Sequence, residues 1–283
     1  MGAPLTWGDR TYVMGIVNVT PDSFSGDGLA TPDRGIDAVV AAAVGQAEAM
    51  VEAGAEIIDV GAESTRPRNA YGDRDPVDAG TEAALAVPVV RAVVDALGDR
   101  AIVSIDTSKG SVARQATSAG ARMVNDVWGA TRDPDTAVAA AEAGADIVLM
   151  HNQEGQDYPA GVFETVVGWL RVATEAAVER GVARERIIAD PGIGFGKGTQ
   201  ENLELLHRLA ELKAALDGMP LLVGTSRKRF LGELLDGAEP DDRIEGTAAT
   251  VALAIAAGAD IVRVHDVAHI ARTRRVADAI IRR

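Results

Sequence analysis

Polar side chains able to do chemistry fall at eight points along this 283-residue chain, each just after a short apolar run. The first is Asn18, followed by a loop of acids and glycines that includes Asp22, Gly26, Asp27 and Gly28. Then come Asp59 with "ESTRP" (63–67), Asp106 with Lys109, Asn125 with Asp126, and His151. "DPGIGFGK" (190–197), Arg227 with Lys228, and Arg263 with His265 complete the series. Arginine suits bidentate phosphate binding. An amide oxygen is a hard ligand for Mg²⁺, which keeps several waters and takes substrate phosphates as further ligands. Asn18, Arg263 and His265 together therefore read as one Mg²⁺–phosphate patch, with Mg²⁺ the expected cofactor. Asp106, Asn125 and Asp190 could hold the edge of a heterocycle rich in N–H donors, since a carboxylate accepts two parallel N–H bonds well. Bland alternatives stay open: each Asp could cap the following helix, and His265 alone could be a satisfied core histidine.

These groups need elements to aim them. β-branched runs recur at Val13–Val19, Glu56–Gly61, Ala101–Thr107, Met123–Val127, Asp146–His151, Ile187–Asp190, Leu221–Thr225 and Ile261–Asp266. Ala-rich stretches with helical patterning separate them, such as Ile36–Ala53 and Arg243–Ala257. Continuous apolar strands alternating with helices imply buried parallel strands. One word repeats at the junctions: "EAGAE" (52–56), "SAGAR" (118–122), "EAGAD" (142–146) and "AAGAD" (256–260). Each glycine suits a left-handed residue that stops a helix before the next strand. Eight such units close most economically into a single-domain α/β structure, a (β/α)8 TIM barrel over 1–283, a fold that commonly takes about 250 residues. An open doubly wound sheet is the alternative. In a barrel the carboxyl ends of all strands face one mouth, so the eight polar points converge. Arg263 and His265, two apart, share a strand face, and the last strand closes against the first, near Asn18. The segment Glu63–Asp78 reads as an active-site loop.

Composition narrows the partners. A net charge of −14 argues against a nucleic acid. The absence of cysteine excludes a disulfide framework and a thiolate metal site, and fits a reducing cytoplasm. No uninterrupted apolar run approaches a membrane span of about 18 residues. "MGAPLT" and "NVT" match lipidation and glycosylation patterns short enough to recur by chance. Lysine is scarce, with 4 against 24 arginines, yet three of the four follow a strand: Lys109, Lys197 and Lys228.

"GIVNVTPDSFS" (15–25), "ESTRP", "SIDTSK" (104–109), "ND" (125–126), "LMH" (149–151), "DPGIGFGK", "GTSRK" (224–228) and "RVHDV" (263–267), in that order, closely resemble the dihydropteroate synthase family. The resemblance runs from the first strand to the last. It implies a (β/α)8 barrel, generally a homodimer. It also implies a reaction that condenses hydroxymethyl-dihydropterin diphosphate with p-aminobenzoate, releasing diphosphate, with Mg²⁺ bound alongside. By resemblance, Asp106, Asn125 and Asp190 hold the pterin, and Lys228 contacts pterin and the aminobenzoate pocket. Arg263 and His265 anchor diphosphate, and Asn18 is the Mg²⁺ ligand. Thr65, Arg66 and Pro67 belong to a second loop, and Phe195 lines the aminobenzoate site. Lys228, Arg263, His265 and Asp106 carry the catalytic expectation. Two stretches depart from the family pattern. The first loop reads "SFSGDG" (23–28), which displaces Asp27 by one residue, and Arg68 opens a longer "RNAYGDRDP". Family-typical sulfonamide sensitivity is therefore not implied. Competing readings are a pterin-binding paralogue without turnover and a pterin-dependent methyltransferase domain.

Overall fold

In the computed structural model of the chain, residues 5–20, 29, 35–63 and 77–282 are described. Eight strands alternate with helices. The strands are β1 (Tyr12–Asn18), β2 (Ile57–Gly61), β3 (Ile102–Asp106), β4 (Met123–Asp126), β5 (Asp146–Met150), β6 (Ile187–Asp190), β7 (Leu222–Val223) and β8 (Ile261–Val264). The helices are α1 (Ile36–Ala53), α2 (Ala79–Leu97), α3 (Gly110–Ser118), α4 (Asp135–Ala143), α5 (Val162–Glu179), α6 (Thr199–His207), α7 (Leu209–Ala215), α8 (Arg229–Leu234), α9 (Ile244–Ala256) and α10 (Val267–Ile281). Every strand pair is parallel, in the order β6-β5-β4-β3-β2-β1-β8-β7. Ala189 bridges Leu221 and donates its N–H to Pro220 O at 2.9 Å, which joins β6 to β7 and completes the ring. The open-sheet alternative is thereby ruled out.

The repeated word does the work expected of it. Gly54, Gly120, Gly144 and Gly258 all have φ between +60° and +112°. At Gly54 the backbone N–H caps α1 by bonding Met50 O and Val51 O, and the chain turns directly into β2. β7 is shorter than its apolar run because the backbone leaves the sheet at Gly224 and turns, with Lys228 N bonding Thr225 O at 3.2 Å.

Two kinds of core result. Between strands and helices lies an aliphatic shell of Ala, Val, Ile and Leu. Inside the ring, Tyr12, Met14, Ile57, Ile102, Met123, Val148, Ile188, Leu222 and Ile261 form an apolar plug. Strand side chains repeat every two residues, so the residues two beyond each plug member also point inward. Those residues are Ile16, Asp59, Ser104, Asn125, Met150, Asp190, Gly224 and Arg263. The interior therefore changes from apolar to charged within one layer, and the plug supports the charges from beneath.

The β7–β8 seam is tied by an ion pair whose acid is fully buried and whose ammonium reaches partly into solvent. Asp260, fully buried, accepts Leu221 N–H at 2.9 Å and the Lys213 ammonium at 2.6 Å. Removing one partner strands the other charge. Asp260→Ala is expected to lower unfolding stability by about 3 kcal/mol in urea titration; an unchanged midpoint would show that the seam does not need the pair.

Candidate active site at the mouth of the barrel

The charged layer is a connected network. Arg263 donates from Nε to Asp59 Oδ2 and from Nη2 to Asp106 Oδ2, each at 2.7 Å. Asn125 Nδ2 donates to the same Asp59 oxygen at 2.8 Å. The guanidinium thus ties β8 to β2 and β3, and Asp59 carries the network on to β4. Asp190 on β6 uses Oδ1 to accept the N–H of Gly192 at 2.7 Å, fixing the first turn of the loop that follows. Above them is a shallow pocket, open to solvent and lined by Asn125, Asp190, Phe195, Lys228, Arg263 and His265 with apolar side chains from β1 and β5.

Burial sets the charge states. It pushes Asp106 up to about 8, with the Arg263 cation pulling the other way and Asp59 adding repulsion. It also raises Asp190, against the pull of Lys228. Burial opposes the charge of Arg263, but Asp59 and Asp106 outweigh it, and its pKa rises further. Lys228 is pushed down to about 7 by burial, opposed by Asp190 and reinforced by Arg263. Its ammonium bonds Ile193 O and lies 4.4 Å from the centroid of the Phe195 ring. Acids and bases whose environments push them toward neutrality in one cleft mark a functional site.

A second tie holds the loops after β7 and β8 together. Ser226 Oγ accepts the His265 N–H at 3.2 Å and lies 3.0 Å from His265 Nδ1. The consistent assignment has the Ser226 hydroxyl donating to Nδ1, which leaves the ring proton on Nε2. Arg227, at φ +59°, forks onto both oxygens of Asp266 at 3.0 and 2.7 Å. The neighbours of Lys228 and of His265 are thus locked to each other.

One sequence expectation needs correction. The patch of Asn18, Arg263 and His265 is split over levels. In the β1–β8 register Met14, not Asn18, is level with Arg263. Asn18 lies four residues further along, about 13 Å at the usual strand rise. Arg263 is therefore a deep group, drawn to Asp59 and Asp106. Asn18 and His265 lie nearer the rim, with Asn18 half-buried at the end of β1. Thr65, Arg66 and Pro67 lie outside the described residues, as do Asp22, Gly26, Asp27, Gly28 and Arg68. What flanks the second loop is described: Glu63 accepts Val77 N–H at 3.1 Å and the Lys109 ammonium at 2.6 Å, and Lys109 also bonds Glu82. Asp59 is the site residue that sequence reasoning noted without giving it a role. The available signal was an acid inside "IIDVG", two residues beyond an interior Ile57. Among the described residues no three acidic or imidazole groups gather as a metal cage. A single amide at the rim fits only a cation that arrives with phosphate oxygens and water.

Comparison with known proteins gives a consistent result. Residues 14–265 match the family described as pterin binding enzyme. The dihydropteroate synthase of Synechocystis sp. is 45% identical over 280 residues, covering 97% of this chain and 91% of that protein. A Clostridium difficile dihydropteroate synthase, solved in the presence of pteroic acid, superposes with TM-score 0.90 at 43% identity, over 99% of this chain and 100% of that one. A Xanthomonas albilineans dihydropteroate synthase with 4-aminobenzoic acid gives TM-score 0.84 at 39% identity, over 96% of this chain and 93% of that one.

The lowered Lys228 makes stability depend on pH. Its folded value of about 7 lies below the ordinary value of about 10.4. Between the two, the unfolded chain holds a proton that the native one has lost, so stability rises with pH. Lys228→Met removes that rise. Urea titrations between about pH 7 and pH 10 should show the unsubstituted protein gaining on the variant as pH increases. A difference independent of pH would contradict the assignment.

Proposed function

The chain belongs to the pterin binding enzyme family and is a dihydropteroate synthase by its relatives, and we propose how its barrel mouth joins hydroxymethyl-dihydropterin diphosphate to p-aminobenzoate. The observation that carries the reading is the interior acid layer. Asp59 Oδ1 and Asp106 Oδ1 are buried without a hydrogen-bond partner among the described residues. Buried acceptors left open in this way cost stability unless donors arrive. The N–H edge of a pterin supplies such donors. Asn125 and Asp190 complete the cradle, and Lys228 closes it from the β7 side.

The chemistry follows from where the charges lie. Departure of diphosphate leaves cationic character on the exocyclic carbon. Burial favours the protonated form of Asp106 and raises Asp190 in the empty site, and N–H donors from the pterin would draw both beneath the ring toward their charged forms, which favour that cation electrostatically. Arg263 has Nε and Nη2 committed to carboxylates, which leaves Nη1 as the edge that meets the departing anion. His265 would donate from Nε2 to the same anion nearer the rim. Asn18 would hold Mg²⁺ through its amide oxygen, and that ion, when bound, supplies further neutralisation of the diphosphate. The amine of p-aminobenzoate, with its ring against Phe195, then attacks the carbon and sheds a proton. Thr65, Arg66 and Pro67 would cover this side. No protein nucleophile is required. Preorganised stabilisation of charge of this kind is usually the largest catalytic term.

Several finer points belong to the same proposal. The whole chain acts as a single domain. It pairs with a second copy through the apolar faces of α9 and α10, where Leu253, Val276 and Ile280 are more than 60% exposed. Its location is cytoplasmic, which suits the lack of cysteine. Among the described residues, no helix is long and apolar enough to cross a membrane.

Mixing the protein with Mg²⁺, the pterin diphosphate and p-aminobenzoate should release diphosphate in step with dihydropteroate; tight pterin binding without product would support a paralogue that has lost turnover. Arg263→Ala is expected to lower kcat by about 10²–10³, and wild-type kcat would remove the anion role. Asp106→Ala should chiefly weaken pterin binding, and an unchanged dissociation constant would take Asp106 out of the cradle.

A further inference from the structure

Lys197 and His151 were prominent in the sequence, yet the proposed chemistry gives neither a role. Both are buried, and they touch: Lys197 Nζ lies 2.9 Å from His151 Nδ1. The same ammonium donates to Gly192 O at 3.0 Å and to Phe195 O at 2.9 Å. In the protonated form, which burial disfavours by pushing the Lys197 pKa down to about 7 and Asp190 favours, three acceptors match its three N–H donors. Two belong to the loop after β6, which carries Phe195. The third, His151, belongs to the end of β5.

That loop needs an external hold. Gly192, Gly194 and Gly196 all have positive φ, so its backbone has little stiffness of its own. It runs so close to β5 that a Cβ on Gly192 would collide with His151 O. Its polar groups are claimed one by one by side chains. Gly194 N–H bonds Asn202 at 2.6 Å, Gly196 O accepts the Tyr158 hydroxyl at 2.7 Å, and Ile193 O takes the Lys228 ammonium. Lys197 gathers the two carbonyls on either side of the turn closed by Phe195 N–H to Gly192 O at 3.0 Å, the turn that carries the Phe195 ring.

We propose that Lys197, seated on His151, is a positioning residue for the aromatic acid substrate: it staples the β6–α6 loop so that the Phe195 ring is held against Lys228. This rests on the reading of Phe195 as part of the p-aminobenzoate site. Lys197 does not line the pocket; it acts through the two carbonyls that flank the ring. His151 serves as a neutral acceptor, which burial and the adjacent Lys197 enforce by pushing its pKa down to about 3. In the pterin cradle Asp59, Asp106 and Asn125 stand on β2, β3 and β4, away from the staple, while Asp190 and Lys228 touch the stapled loop only through Gly192 N–H and Ile193 O.

Steady-state kinetics with both substrates varied test this, together with calorimetric binding of the pterin diphosphate. Lys197→Met is expected to raise KM for p-aminobenzoate by about tenfold or more, and to leave pterin affinity within about twofold. His151→Phe keeps the ring volume, removes the acceptor and should shift KM in the same direction. His151→Asn puts an amide oxygen near the Nδ1 position and should lie closer to the unsubstituted protein. An unchanged p-aminobenzoate KM in folded Lys197→Met, or an equal loss for both substrates, would overturn the proposal. If Lys197→Met does not fold, His151→Phe carries the same decision. Absence of dihydropteroate from the unsubstituted protein would instead overturn the functional reading on which the proposal rests.

Discussion

A guanidinium inside a β-barrel has to be neutralised, and most of the site follows from that requirement. Arg263 stands one layer above an apolar plug, where an unpaired charge would be very costly. Its hydrogen-bonded counter-ions come from β2, with Asp59, and β3, with Asp106, and Asp190 on β6 adds to them at longer range. The cost of burying acids beside one another is met in turn by protonation, and Asp106 moves toward the neutral range. The layer is therefore stable but not saturated. Open oxygens on both acids remain, and a ligand offering N–H groups completes what the protein leaves undone.

The rest of the mouth is arranged around this floor by ties that cross between loops. Arg227 and Asp266 clamp the β7 and β8 loops, and so fix the spacing of Lys228 from His265. Lys109, Glu63 and Glu82 brace the flanks of the second loop. Lys197 and His151 hold the loop after β6. Arg227 and Asp266 are the immediate sequence neighbours of Lys228 and His265, and Lys197 lies two residues from Phe195, so the holding groups sit close along the chain to the groups they place. Rigid strands set the positions of the deep groups, and paired charges set those of the loop groups. Such support is what keeps a reacting geometry accurate to a fraction of an ångström.

Much of this was legible from residue order. Continuous apolar runs separated by helical stretches gave eight strands, because a strand buried on both faces has no polar side to show. The repeated Ala-Gly-Ala junctions gave the helix ends, because only glycine takes the left-handed conformation at little cost. Polar residues at strand ends gave the mouth. Depth was not legible. The sequence puts Asn18 and Arg263 at the ends of adjacent strands, but the stagger of a closed barrel decides which residues are level, and it sets Arg263 beside Met14. Asp59 carried a readable signal, an acid within an apolar run, but its partner lies 204 residues away and becomes visible only when the ring closes. The short β7 was likewise hidden, since Thr225 is as fit for a strand as for the turn it begins.

The central claim is that the internal acid layer, and not the rim alone, binds the pterin. Calorimetric titration of Asp59→Asn with the pterin diphosphate addresses it most directly, because the substitution keeps the shape and removes the charge that Arg263 and Asn125 share. The account predicts affinity weaker by at least about tenfold, the scale of one lost hydrogen bond to a charged group, in a protein that still folds. Binding as tight as that of the unsubstituted chain would contradict it.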